Sequence, residues 1–209
     1  MTPELYNTVE AYMRSCMDAC AHDVAHVYRV LDNARTIAEK TPGADMDILE
    51  TAALLHDIGR PAQLADPAKD HAVVGAEMAA DFLSGLGCAP DFIAAVTHCI
   101  RAHRFRKASP PETLEAKILF DADKLDVTGA VGIARTLLYQ GQTGRPLYAL
   151  TKDGKPDEFA DAASFFKEYH FKLEKLYDKF YTDEGRRQAE ERRQAAEAFY
   201  EALKEEIGM

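Results

Sequence analysis

Leu54-Leu55-His56-Asp57-Ile58-Gly59 is the stretch on which the reading of this chain turns. A histidine and an aspartate stand side by side at the end of an apolar helical run, and Gly59 and Pro61 then break the helix. Ala52, Ala53, Leu54 and Leu55 leave the run apolar nearly all round, so this helix, started by Asp45 or Asp47, should be the central and most buried one. Burying an adjacent His and Asp without partners is costly. Two further groups can converge on them: His26 upstream, and Asp123 in Phe120-Asp121-Ala122-Asp123-Lys124-Leu125-Asp126 downstream.

Outward from that stretch, the spacing of apolar residues is helical almost everywhere. Residues 3–17 carry Leu5, Val9, Tyr12, Met13 and Cys16 on one face, and a second helix runs from an N-cap near Asp23 to about Lys40. Residues 59–70, with two prolines, read as a loop. Helix resumes from His71 to Leu86 and is closed by Gly87; Pro90 opens the next, to about residue 103. Arg104 to Pro111 is a basic loop, and Pro110-Pro111-Glu112 starts a helix that reaches Asp123. Helix continues from Gly129 through Tyr139. The irregular stretch from Gly141 to Pro156 is a candidate active-site cap or interface loop. From about Asp161 two helices follow, broken near Asp183-Glu184-Gly185; the charge run of the last, Arg186 to Ile207, reads as a solvated face with i,i+4 pairs. No stretch alternates convincingly with period two. The fold class is therefore all-α: one domain over residues 1–209, with a core at about 20–150 and C-terminal helices at about 160–208.

Composition narrows the function. The chain has 209 residues, 47% of them hydrophobic, which is ample for a core, and a formal net charge of -10. Such an acidic chain is a poor match for a nucleic acid duplex, which needs clustered Lys and Arg. A small anionic substrate remains open through a metal or a local patch. No basic stretch followed by an apolar core opens the sequence, so no signal peptide is expected, and no apolar run is long enough to cross a bilayer. Cys16, Cys20, Cys88 and Cys99 form no CxxC pair; they read as reduced, small buried hydrophobes in a cytoplasmic protein. A Cys16/Cys20 metal clip is the alternative, and it lacks a partner set.

Two imidazoles (His26, His56) and two carboxylates (Asp57, Asp123) would make a borderline-hard site. It suits Mn²⁺, Fe²⁺, Co²⁺ or Ni²⁺ and tolerates Mg²⁺. Closed structural zinc sites more often use thiolates. Four protein ligands on a six-coordinate ion leave about two positions for water or substrate oxygen. Taken singly, each of these residues is as readily explained by a structural role; the adjacent, buried His56-Asp57 is the hardest to explain that way.

The order His26, then His56-Asp57, then Asp123 resembles the H…HD…D signature of the HD superfamily of metal-dependent phosphohydrolases. The local contexts are similar too: His22-Asp23-Val24-Ala25-His26-Val27-Tyr28-Arg29-Val30, Ala53-Leu54-Leu55-His56-Asp57-Ile58-Gly59 and Asp121-Ala122-Asp123-Lys124-Leu125-Asp126. Gly132-Ile133-Ala134-Arg135-Thr136 and Gly144-Arg145-Pro146-Leu147-Tyr148 point to small stand-alone bacterial members, some described as nucleotide pyrophosphohydrolases. The resemblance covers roughly residues 20–150. It implies an HD-domain helical bundle, with a C-terminal helical extension that carries no motif, and His26, His56, Asp57 and Asp123 as ligands of a divalent metal. His22-Asp23 is a second HD pair that precedes the first ligand; Asp23 reads as an N-cap and His22 as a group behind the ligands.

Some family members bind a second ion through extra histidines, and His71, His98 and His103 are available. His98 and His103 are five apart and point about 140° from each other, so they should not share an ion. His98 reads as a satisfied helix histidine, and His71 and His103 as groups that bind phosphate or donate a proton. Glu77 resembles the proton shuttle of related nucleotidases, with an ordinary exposed glutamate as the bland alternative. Arg101, Arg104, Arg106 and Lys107 form the dense basic patch of an acidic chain, and Lys124 follows a ligand; Arg101, Arg104 and Lys124 are candidate phosphate contacts. The expected activity is hydrolysis of a nucleotide or similar small phosphorylated metabolite, with Asp57 also helping to orient the attacking water. A cut between the α and β phosphates of a nucleoside triphosphate is the version the subgroup implies. The rivals are a 5′-nucleotidase acting on monophosphates and a binding protein that keeps metal or nucleotide without turnover. The C-terminal helices either pack on the core or form a homodimer contact, with the homodimer the favoured reading.

Overall fold

The computed structural model describes residues 1–17, 24–104 and 109–209. The expectations placed on Cys20, His22, Asp23, Arg106 and Lys107 lie outside the described residues. The chain divides into two compact units, Met1–Asp123 and Lys124–Met209. The described residues are helical apart from loops and one two-stranded hairpin.

In the first unit the helices are α1 (Pro3–Met17), α2 (Val24–Lys40), α3 (Met46–Leu55), α4 (Arg60–Ala65), α5 (His71–Gly85), α6 (Pro90–Ala102) and α7, which starts at Leu114 and runs on to Leu125 in the second unit. Asp45 caps α3: its Oδ1 accepts from the backbone N–H groups of Asp47 at 2.9 Å and Ile48 at 3.2 Å. As its apolar circumference requires, α3 is the hub. Leu49, Thr51, Ala52, Ala53, Leu54 and Leu55 are all buried, and the helix packs against α1, α2 and α6. Helix α5 packs on α4 and α6. Asp70 caps α5, accepting from Ala72 N–H at 3.0 Å, so that His71 is its first residue. Asn33 of α2 donates to the Ala122 carbonyl of α7 at 3.1 Å and ties those two helices together.

Two boundaries in this unit differ from the sequence reading. Residues 59–70 contain a short helix, α4, rather than only loop. Pro61 sits in its first turn, where a proline gives up no helical hydrogen bond, so Gly-Arg-Pro starts a helix here instead of forbidding one. Helix α7 starts at Leu114 and not at Pro110. Pro111 biases its predecessor away from helix, and the cap is Thr113, whose Oγ1 accepts from Ala116 N–H at 3.2 Å.

The second unit holds α8 (Gly129–Gln142), the antiparallel pair β1 (Ala149–Leu150) and β2 (Pro156–Asp157), α9 (Phe165–Phe171), a 3₁₀ turn and α10 (Asp183–Glu206). Helix α8 packs on α9 and α10, and Phe165, Phe166, Tyr169, Tyr177, Ala196 and Tyr200 are buried. The long Gly141–Pro156 stretch thus contains all of a small hairpin but its last residue, Asp157. Asp183-Glu184-Gly185 is not a break but the first turn of α10: Thr182 caps it by accepting from Gly185 N–H at 3.0 Å, and the two acids sit where the helix dipole favours negative charge. The charge run on α10 does pair along its own face, with Arg187 bonded to Glu184 and Glu191. Arg192 is the exception and reaches inward to donate to the Leu125 carbonyl at 2.8 Å.

Candidate metal centre

Residues in or at the ends of α2, α3, α5, α6 and α7 bring the polar groups of the first unit to one place. His56 stands at the C-terminal end of α3, where carbonyls lack helical partners, and its Nδ1 donates to Ala53 O at 2.7 Å. His103 repeats this at the end of α6, donating to Ile100 O at 2.6 Å. A carbonyl can only accept, so the proton of each neutral ring lies on Nδ1 and the Nε2 lone pair faces the interior.

Around His56 Nε2 lie His26 Nε2 at 3.3 Å, Asp57 Oδ2 at 3.8 Å and Asp123 Oδ1 at 4.0 Å. His26 Nε2 is in turn 3.6 Å from Asp57 Oδ2 and 3.3 Å from Asp123 Oδ1. Ligands about 2.1 Å from one ion stand about 3.0 Å apart at an octahedral edge and about 3.4 Å apart in a tetrahedron, so these separations fit a single cation among the four residues. The other oxygen, Asp57 Oδ1, faces a second group: His71 Nε2 at 3.5 Å and His103 Nε2 at 3.7 Å, themselves 3.3 Å apart. Two groups, His26/His56/Asp123 and Asp57/His71/His103, are each compact enough to hold an ion, and Asp57 Oδ2 links the second to the first.

The electrostatics agree. Burial pushes the imidazole of His56 down from 6.5 to about 4, beyond what Asp57 and Asp123 restore. His71 is pushed down to about 3, first by burial and then by the Arg60 guanidinium. Burial alone would raise Asp57, but His56, His103 and Arg60 hold it well below the ordinary carboxylate range. Asp123 is also held low, against its burial, chiefly by His26. Near neutral pH, His56 and His71 are unprotonated while both carboxylates are charged, which is the state a divalent ion requires of its ligands. The Asp123 side chain is 26% exposed, whereas Asp57, His56 and His26 are closed in, so this centre opens to solvent on the Asp123 side.

The remaining expected site residues divide. His71 and His103 join the cluster, with their Nε2 atoms 3.3 Å apart and 3.5 and 3.7 Å from Asp57 Oδ1. Arg104 is half-buried, with Nη1 3.1 Å from Asp70 Oδ2 at the start of α5. Glu77 is exposed and is not brought to the cluster: six residues past His71, it is turned about 120° from it around α5. Arg101 is likewise exposed; two residues before His103 on α6, it projects to the far side of that helix. His98 stands apart from the cluster and accepts from Glu112 N–H at 3.3 Å. Lys124 follows Asp123 on α7 and is half-buried.

The sequence reading missed Arg60 and Gln63. Arg60 Nε donates to Asp57 Oδ1 at 2.8 Å, and Gln63 Oε1 lies 2.8 Å from His71 Nδ1. A basic residue three positions after the aspartate was the available signal; Gln63 left none, because its contact exists only once α4 folds.

The helical bundle gathers histidines and aspartates in the H…HD…D order into a cluster that could hold a divalent ion. The model of the family described as HD domain matches residues 23–128. Uncharacterized protein YpgQ of Bacillus subtilis (strain 168) is 36% identical over 194 residues, 91% of this chain and 86% of that protein. The crystal structure of Bacillus subtilis YpgQ in complex with ADP is similar with a TM-score of 0.76, at 31% identity over 97% of this chain and 98% of that one. That of an HD-superfamily hydrolase from Bacillus thuringiensis gives 0.77, at 29% identity over 99% and 98%. The chain belongs to the HD domain family, and it is a metal-dependent phosphohydrolase of that type.

Proposed function

We propose that this protein hydrolyses a nucleotide, cutting a nucleoside triphosphate between its α and β phosphates. Hydrolysis is supported above all by one observation: both oxygens of a buried, ionised Asp57 face imidazole nitrogens at 3.5–3.8 Å. The nucleotide part is supported by the ADP complex of YpgQ.

In this reading His26, His56, Asp57 Oδ2 and Asp123 hold one divalent ion, and Asp57 Oδ1, His71 and His103 hold a second. Bound there, divalent ions supply a Lewis acid for a phosphoryl oxygen and an acidified water. The chain does the rest. The exposed edge of Asp123 admits substrate, and the buried walls of α3 and α5 keep bulk water from the ligands. Arg60, anchored on Asp57, holds the shared carboxylate in place, and Arg104 contributes positive charge for the phosphates. Water oxygen attacks the α-phosphorus, the bond to the α–β bridging oxygen breaks, and a nucleoside monophosphate and pyrophosphate leave.

The test is product analysis. Protein stripped of metal and reloaded with Mn²⁺, Mg²⁺, Co²⁺ or Ni²⁺ is offered nucleoside mono- and triphosphates. Pyrophosphate from triphosphates supports this reading. Orthophosphate from monophosphates replaces it with a 5′-nucleotidase. Bound nucleotide without turnover under every metal leaves a binding protein.

A further inference from the structure

His71 differs from His56 and His103 of the same cluster in what holds its Nδ1. His56 and His103 end helices, where unpaired carbonyls of their own last turn accept from Nδ1. His71 begins a helix, where the backbone presents amides and no carbonyl is within its own turn to orient it. Its Nδ1 partner comes from another element: Gln63 Oε1 of α4, at 2.8 Å.

Which atom of the Gln63 amide faces the histidine follows from Arg60. Arg60 Nη1 lies 3.4 Å from that same Gln63 atom, and a guanidinium has only donors, so the shared atom is the carbonyl oxygen. Arg60 is itself held by its Nε bond to Asp57 Oδ1. An oxygen only accepts, so His71 must donate through Nδ1, and its Nε2 lone pair is left facing His103 Nε2 at 3.3 Å and Asp57 Oδ1 at 3.5 Å. An ammonium or amide N–H at position 63 would turn the tautomer round and point a proton at those two acceptors.

We propose that Gln63 is a positioning residue that holds His71 in the Nδ1–H tautomer and thereby makes the Asp57–His71–His103 group a cation-binding pocket. The second half of this statement rests on the metal-centre reading given above; the first half does not. Neither Gln63 nor Arg60 touches the reacting atoms in this role. They act through His71 and Asp57, and α4 is the element that supplies them both.

The experiment is long-range ¹H–¹⁵N correlation of the imidazoles in the metal-free full chain near neutral pH, with the His71 signals assigned by their loss in His71→Ala. In the native chain His71 is expected as the Nδ1–H tautomer. Gln63→Leu should move it toward Nε2–H or a mixture, and Gln63→Glu, which keeps an acceptor, should restore it. An Nε2–H ring in the native chain, or one unmoved by Gln63→Leu, overturns the assignment. Equilibrium Mn²⁺ binding reads the other half. Gln63→Leu should weaken one of two bound ions by about 10- to 100-fold and leave the other unchanged, with Gln63→Glu near native. Native and His71→Ala chains that take up Mn²⁺ identically would overturn the cation pocket whatever the tautomer, and would locate the failure in the metal reading rather than in Gln63.

Discussion

Gly59 lies so close to the first turn of α5 that a Cβ built on it would stand 2.2 Å from the carbonyl oxygen of His71. The same atom would be 2.6 Å from Gly75 N. The φ of Gly59 is −80°, open to any residue, so the glycine is needed for this contact and not for a special turn. The contact sets the distance between Asp57, two residues before, and His71. Gly59→Ala should therefore push the end of α3 away from α5, costing about 2–4 kcal/mol in urea unfolding and weakening divalent-ion binding at the same time. Gly85→Ala is the control: a Cβ there meets no atom within 4 Å, and stability should stay level or rise by about 0.5–1 kcal/mol.

Acid should destabilise the metal-free protein well above the carboxylate range. His56 and His71 have folded-state values of about 4 and about 3 against an ordinary 6.5. Between 6.5 and those values the unfolded chain binds protons that the folded chain refuses, so stability is full above 6.5 and falls as pH falls. His56 alone accounts for on the order of 3 kcal/mol over that window. The depressed carboxylates Asp57 and Asp123 contribute stability that is present above their unfolded values and lost only at lower pH. Melting temperature followed from pH 7 downward in chelator checks this; a flat profile to about pH 4.5 would contradict it.

Divalent ions should reverse that loss, because ion and proton compete for the same Nε2 atoms. An ion at 100 times its dissociation constant adds about 2.7 kcal/mol to folding. His26→Ala, His56→Ala and Asp123→Ala should each remove most of the Mn²⁺-induced rise in melting temperature. His98→Ala, outside the cluster, should keep it.

In the second unit, buried Asp126 accepts from Arg135 Nη1 at 2.5 Å. Arg135→Met removes that partner from a carboxylate shut away from water and should cost about 2–3 kcal/mol in full-chain denaturation. Lys172→Met, which removes a 3.8 Å pair with Glu168 between solvent-reachable side chains, should leave the midpoint unchanged within error.

Much of this was legible in the sequence, for identifiable reasons. An apolar run that ends in His-Asp has nowhere to place those side chains but the interior, and α3 is buried from Thr51 to Leu55, with His56 and Asp57 after it. The four residues of the H…HD…D order meet within hydrogen-bonding range or slightly beyond it. Helix geometry turns Glu77, six residues past His71, and Arg101, two before His103, away from those histidines, and both are exposed. Punctuation by Gly59, Pro61 and Pro67 hid α4, since proline at a helix start and proline in a loop look alike in one dimension. With α4 hidden, Arg60 and Gln63 could not be seen to face Asp57 and His71.

The most direct test of the metal centre is a stepwise reload. Protein stripped by chelator is titrated with Mn²⁺ while bound ion and pyrophosphate release from a nucleoside triphosphate are followed together, alongside Asp57→Asn. Release that is absent at the start, rises with bound ion and never appears in Asp57→Asn is the expected result. Release at full rate from the stripped protein, or from Asp57→Asn, would contradict a centre organised around Asp57.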